Sequence, residues 1–115
     1  YCGLMLTAAG PQVIEFNCRF GDPEAQVVLP MIAEPLAPLL LAASTGAPLP
    51  GECRLDLAPR VGVVLAAAGY PGAVTTGQRI SGLARVAAEC PGVKVFHAGV
   101  AAAGDDLVTA GGRVL

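Results

Sequence analysis

The sequence has no tryptophan and one lysine, Lys94; aromatic residues make up 4% of it. Without a basic stripe and interleaved aromatics, the usual nucleic-acid footprint is excluded. Charge of either sign is scarce, at 14% of 115 residues, against about a quarter in a soluble domain. A domain so poor in charge exposes apolar surface unless something covers it. The composition therefore predicts a piece that packs against further protein. The formal net charge is −2, and the basic residues are scattered. Long apolar runs are also lacking. Val61 to Gln78 carries no charge, but Gly62, Gly69, Pro71, Gly72 and Gly77 interrupt it too often for a membrane span. No two of Cys2, Cys18, Cys53 and Cys90 form a Cys-x-x-Cys pair, so a zinc or redox motif is not supported. Free, buried thiols in a reducing, cytoplasmic setting are expected instead. The chain opens inside a strand-like run with no Met or signal peptide, and it closes on Val114-Leu115. Both ends read as cut from something longer.

What is present concentrates in one stretch, Glu15-Phe16-Asn17-Cys18-Arg19-Phe20-Gly21-Asp22-Pro23-Glu24. Successive strand side chains point to opposite faces. Glu15, Asn17 and Arg19 then share one face, while Ile14, Phe16 and Cys18 share the other. A carboxylate, an amide and a guanidinium on one face can hold a metal and an anionic substrate. The same pattern also describes a half-buried strand with one solvated side. Asp22-Pro23-Glu24 suits a helix start: Asp caps, Pro takes the first position, and Glu complements the dipole.

The expected fold class is α+β. Residues 1–19 read as a β-hairpin turning at Ala8-Ala9-Gly10-Pro11. A helix over 23–32 is expected to kink or break at Pro30. A second helix, 36–45, starts after Pro35 and stops at Gly46. Residues 47–59, with Pro48, Pro50, Gly51 and Pro59, read as an extended linker between a unit 1–46 and a unit 60–115. The second unit reads as mostly antiparallel β. Strands are expected over Arg60–Ala68, Ile80–Leu83 and Val93–Val100, and turns at Gly69-Tyr70-Pro71-Gly72, Asp105-Asp106 and Gly111-Gly112. His97 reads as a hydrogen-bonded structural histidine in an apolar strand, and Tyr70 as turn packing.

The chain resembles the C-terminal part of the glycinamide ribonucleotide synthetase family, within the ATP-grasp superfamily. Tyr1-Cys2-Gly3-Leu4-Met5, the Glu15–Glu24 run and Gln26-Val27-Val28-Leu29-Pro30 carry the resemblance. Val63-Val64-Leu65-Ala66, Gly69-Tyr70-Pro71-Gly72, Val95-Phe96-His97-Ala98-Gly99 and Gly111-Gly112-Arg113-Val114-Leu115 continue it to the end. Glu-x-Asn alone is shared across the superfamily; the run from Glu15 to Glu24 is far more specific. The resemblance implies that residues 1–46 end an ATP-grasp domain and that 60–115 form a small, mostly antiparallel β C-terminal domain. It implies a ligase joining glycine to 5-phosphoribosylamine with ATP through a glycyl phosphate, with Mg²⁺ or Mn²⁺ as cofactor. By the same resemblance Glu15 and Asn17 are the metal ligands; Arg19, next on that face, offers a fork-shaped cation expected to meet a substrate phosphate or the acyl phosphate. Glycine, 5-phosphoribosylamine and ATP are the small-molecule partners, with no nucleic acid and no membrane. The family's phosphate loop and ATP lysines are not in this stretch, so most of the ATP contacts are expected upstream, in domains against which this piece packs. Two other readings stay open: a non-catalytic packing or assembly module derived from this fold, and an ATP-grasp ligase acting on a different acid.

Overall fold

A computed structural model describes all residues, 1–115. It divides into two compact units, Tyr1–Gly62 and Val63–Leu115. Both mix helices with small antiparallel sheets.

The first unit opens with a hairpin of β1 (Cys2–Thr7) and β2 (Gly10–Phe16). The turn is tighter than the sequence suggests. Ala8 and Ala9 make it, and Gly10 and Pro11 already belong to β2. Thr7 holds the corner: its Oγ1 donates to the Gly10 carbonyl at 2.8 Å and accepts from the Ala9 N–H at 3.2 Å. Gly10 takes φ +97°, a conformation only glycine adopts without strain. Pro11 is tolerated because a two-stranded sheet consists of edges. The register slips once. Gly3 pairs with Glu15 and Leu4 with Val13, so Ile14 is an extra residue in β2. Such a bulge bends a strand and re-aims its side chains.

Helix α1 (Glu24–Val28) follows and passes into a 3₁₀ turn, Leu29–Met31. Pro30 brings about this change, since it has no N–H for an α-helical bond. Pro23 occupies the cap position instead of the first helical turn, and no side chain caps the helix. The expected capping by Asp22 is therefore corrected. Helix α2 (Leu36–Thr45) is followed by Gly46 at φ 71°. The Ala47 N–H donates to the Ala42 carbonyl at 3.0 Å, which closes the helix end in the usual left-handed way.

Residues beyond α2 return along the 3₁₀ turn. Ile32 bridges Leu55; Ala33 N–H donates to Arg54 O at 3.0 Å, and Asp56 N–H donates to Met31 O at 2.7 Å. Arg60 pairs with Asp56, and Ala58 N–H donates to Asp56 Oδ1 at 3.0 Å.

In the second unit β3 (Arg79–Ile80), β4 (Val100–Ala103) and β5 (Asp106–Thr109) form an antiparallel sheet in the order β3-β5-β4. Arg79 Nε reaches Asp106 Oδ1 at 2.9 Å across the β3–β5 pair. The C-terminal residues are threaded between two extended arms. Leu65 and Ala67 bond to Leu115 and Gly112 on one side; Ala98 and Gly99 bond to Val114 and Arg113 on the other. Val114 and Ala67 are the buried hydrophobic residues of the chain. Gly99 permits the close approach, since a Cβ there would lie 2.6 Å from the Arg113 carbonyl and 2.8 Å from Gly111 Cα.

Three expectations for this unit change. Arg60–Ala68 is not a strand; only Ala66 bridges Arg113. The Leu65 carbonyl accepts from both Val114 and Leu115, which breaks a regular ladder. The strand expected over Val93–Val100 begins only at Val100, because Val93 closes a turn onto Cys90 O. Leu83–Glu89 forms a helix, α3, where only a short strand ending at Leu83 was expected. Its signals are local: Leu83 and Val86 are half-buried one turn apart, and Arg85 faces Glu89 four residues on at 3.9 Å.

The four cysteines are free as expected, but all are exposed, not buried. His97 is likewise exposed and lies outside any strand. Both follow from how little is enclosed: Leu6, Phe16 and Ile14 are 80%, 73% and 62% exposed. Low charge had predicted this uncovered apolar surface.

Candidate functional site

The site residues cluster where β2 ends. Glu15 is the penultimate residue of β2, and Asn17 continues the pairing one step further by donating its N–H to the Tyr1 carbonyl at 2.9 Å. The Tyr1 nitrogen returns hydrogen bonds to Asn17 O at 2.8 Å and Arg19 O at 2.9 Å. The Tyr1 ammonium and carbonyl therefore contact the backbone of Asn17 and Arg19, while Glu15 pairs with Gly3. Glu15 and Arg19 are exposed, and Asn17 is half-buried.

The Glu15 side chain runs across Gly3, its pairing partner. A Cβ on Gly3 would lie 3.1 Å from Glu15 Cγ and 3.4 Å from the Tyr1 hydroxyl. The same arrangement recurs at Gly21, where a Cβ would lie 2.5 Å from Glu24 Oε2. Each of these buried glycines thus leaves room for the acidic side chain that lies across it. The Tyr1 hydroxyl lies over Gly3 beside Glu15 Cγ. Desolvation, then the charge of Glu24, then the charge of Glu15, push its pKa up from the ordinary value.

Glu15 lies outside the four ion pairs of the chain. Its carboxylate and the amide oxygen of Asn17 are hard donors two residues apart. No group of three or more His, Cys, Asp or Glu comes together anywhere. Mg²⁺ is commonly held by one or two protein side chains together with phosphates and water, so this donor set fits such an ion. Arg19 Nη1 donates to the Phe20 carbonyl at 2.7 Å, which turns the guanidinium along its own backbone. Tyr1 and Glu24 are the members that the strand pattern does not reveal. The clue to Tyr1 lay in the hairpin register, since it stands two residues before the glycine opposite Glu15.

A second polar cluster joins the 3₁₀ turn to the returning segment. Glu34 accepts from Arg54 Nε at 2.9 Å, from the Arg54 N–H at 3.0 Å and from Cys53 Sγ at 3.1 Å. The Arg54 bond, then that of Cys53, holds the Glu34 carboxyl below its ordinary pKa, and Glu34 in turn pushes the Cys53 thiol up. An open apolar hollow of about 230 Å³ lies beside Cys53, lined also by Leu39, Leu40, Ala43, Leu49 and Pro50.

Comparison with known proteins supplies a family for the chain. Residues 1–25, which hold the hairpin and the Glu15–Glu24 run, match the phosphoribosylglycinamide synthetase ATP-grasp (A) domain. Residues 60–115 match the phosphoribosylglycinamide synthetase C domain. The chain belongs to the phosphoribosylglycinamide synthetase family. It is 52% identical over 117 residues to phosphoribosylamine–glycine ligase of Streptomyces coelicolor, a match covering 100% of this chain and 28% of the relative. The same named enzyme of Pseudomonas aeruginosa is 52% identical over 116 residues, covering 100% and 27%. The trifunctional purine biosynthetic protein adenosine-3 of Drosophila melanogaster is 49% identical over 118 residues, covering 100% of this chain and 8% of that protein. The crystal structure of phosphoribosylamine–glycine ligase from Thermotoga maritima superposes with a TM-score of 0.67 at 37% identity, covering 98% of this chain and 27% of that one. The chain therefore spans little more than a quarter of the ligases that it matches.

Proposed function

We propose that this chain is the C-terminal part of an ATP-dependent ligase that joins glycine to 5-phosphoribosylamine, giving glycinamide ribonucleotide, ADP and phosphate. One observation carries the reading: the two family matches occur in order, with the Glu15–Glu24 run inside the first. Residues 1–46 end the ATP-grasp domain, 47–59 connect, and 60–115 form the small C-terminal domain. Upstream domains of the same protein supply the remaining ATP contacts and pack against the exposed apolar surface.

The glycine carboxylate attacks the γ-phosphorus of ATP and ADP leaves. The amine of 5-phosphoribosylamine then attacks the glycyl phosphate carbonyl; phosphate leaves and the amine gives up a proton. Phosphoryl transfer of this kind depends on positioning and on charge stabilisation. A bound Mg²⁺ or Mn²⁺ would neutralise charge on the phosphate oxygens. Glu15 and Asn17 are the residues to hold it, with Oε and Oδ1 as donors. Arg19 offers a planar, permanently charged fork suited to phosphate or acyl phosphate. To do so it exchanges its bond to Phe20 O for one to substrate. Asp22 follows Arg19 in the chain, and Glu24 lies across Gly21 at the start of α1. Free cysteines and the absence of a helix long and apolar enough to cross a membrane are compatible with work in the cytoplasm.

The test is direct. The full-length protein, given glycine, 5-phosphoribosylamine and ATP with Mg²⁺, should form ADP and glycinamide ribonucleotide in equal amounts. ADP formation that ignores both glycine and 5-phosphoribosylamine would refute the reading.

A further inference from the structure

Gly3 is the one glycine of β1 and its one buried residue. Glycine inside a strand lowers stability relative to alanine, because it loses more backbone freedom on folding and has no side chain to pack. A left-handed backbone would explain its presence, but Gly3 is not among the glycines with positive φ. Space explains it instead. A Cβ at this position would lie 3.1 Å from Glu15 Cγ, closer than such carbons ordinarily pack, whereas the Tyr1 hydroxyl at 3.4 Å would be in ordinary contact. The bulge makes this pairing. Leu4 faces Val13, so a regular ladder would put Ile14 opposite Gly3; the extra residue puts Glu15 there. The side chain of the candidate ligand thus lies against the one residue of β1 that has none. Its Cγ sits in the middle of the side chain, so it cannot give way without carrying the carboxylate along.

Resting on the reading of Glu15 as a metal ligand, we propose that Gly3 is a positioning residue for the cation site: its bare backbone lets the Glu15 side chain lie across β1 and so fixes where the carboxylate points. A functional group of this kind has to be held to within about 0.5 Å of its productive place. A methyl group on Gly3 forces Glu15 Cγ to give by a few tenths of an ångström, and the carboxylate beyond it moves with the stem. Disturbing what orients a metal ligand typically changes affinity by about 10- to 100-fold. A displacement that breaks no hydrogen bond belongs at the low end.

The experiment uses the full-length protein in two measurements. Mn²⁺ binding is followed by electron paramagnetic resonance in the presence of a non-hydrolysable ATP analogue, and the unfolding midpoint is taken without metal. Gly3→Ala should raise the Mn²⁺ Kd about tenfold. Gly51→Ala, at a glycine with nothing within 4 Å and no left-handed backbone, should leave the Kd unchanged. Without metal, the alanine at position 3 should be tolerated better in a Glu15→Ala background than in the parent, because residues in contact couple and the crowding needs Glu15 Cγ. If Gly3→Ala keeps the parental Kd while Glu15→Ala abolishes Mn²⁺ binding, the positioning role is overturned and the ligand assignment stands. If Glu15→Ala leaves Mn²⁺ binding intact, the ligand assignment falls and takes the positioning role with it. If Gly3→Ala lowers the midpoint equally with and without the Glu15 side chain, or fails to fold in both backgrounds, the glycine serves the backbone and the proposal fails.

Discussion

The ring of Tyr70 occupies the space that a side chain at Gly112 would need: a Cβ there would fall 2.5 Å from Tyr70 Cδ2 and 3.1 Å from Cε2. Gly112 also carries the carbonyl that accepts from the N–H of buried Ala67 at 2.8 Å. It cannot shift away from the ring without loosening that bond. Gly112→Ala should therefore destabilise the protein by about 1–3 kcal/mol, the range for overpacking. Denaturant unfolding of the full-length protein measures it. In a Tyr70→Ala background most of that cost should disappear, because neighbouring sites are not additive. A cost that persists there would place the strain elsewhere.

Gly46 presents the opposite case. Nothing lies within 4 Å of its would-be Cβ, yet its φ is +71°. A substitution here meets no neighbour and acts on the backbone alone. Gly46→Ala should lose about 1–2 kcal/mol, the cost of a left-handed residue with a side chain. Gly46→Asn should recover part of it, since asparagine tolerates this conformation better. Equal losses for Ala and Asn in the unfolding midpoint would contradict the backbone account.

The Glu34–Arg54–Cys53 cluster makes a pH prediction. The folded-state pKa of Glu34 is depressed, principally by the Arg54 bond. Its contribution is therefore fully present above the ordinary carboxylate pKa and is lost as pH falls through the depressed value. The stability gap between the parent and Glu34→Gln should narrow only in that acid range. Cys53 behaves in the opposite sense: Glu34 raises its pKa, so less thiolate forms near neutrality. Thiolate is the reactive species. Alkylation of Cys53 by iodoacetamide at mildly alkaline pH should accelerate in Glu34→Gln, and peptide mass spectrometry reads this residue by residue. An unchanged rate would show that the carboxylate does not govern the thiol.

Local signals were legible in the sequence, whereas pairing between distant segments was not. The hairpin, the break at Pro30, helix 36–45 and its glycine stop each follow from neighbouring residues, and the structure has them at or near those positions. The polar face expected for Glu15, Asn17 and Arg19 rests on alternation through residue 19, whereas β2 ends at Phe16 and Arg19 lies in a bend. Arg60–Ala68 misled because its Val and Leu content reads as a strand, but its partner is the chain end, fifty residues on, and the Leu65 carbonyl serves two donors there. Helix α3 escaped notice because seven residues following a glycine at φ 89° give a weak periodic signal. Tyr1 escaped because its approach to Glu15 depends on the Ile14 bulge and on bare Gly3, and neither has a composition signature.

The metal assignment makes the most demanding prediction. Glu15 carries charge, is exposed and lies outside every ion pair of the chain. Removing it therefore breaks no ion pair, so its loss should act on function more than on stability. In the full-length protein Glu15→Ala should reduce Mg²⁺-dependent phosphate release by at least about a hundredfold, since a bound cation contributes several kcal/mol of transition-state stabilisation. The unfolding midpoint should hardly move. Asn17→Ala should act in the same direction but less strongly, because a neutral amide contributes less than a carboxylate to a divalent ion. Arg19→Lys should fail to restore what Arg19→Ala removes, as an ammonium cannot reproduce the bidentate fork. If Glu15→Ala releases phosphate at the parental rate across Mg²⁺ concentrations, the shared face of Glu15 and Asn17 is only a solvated strand edge.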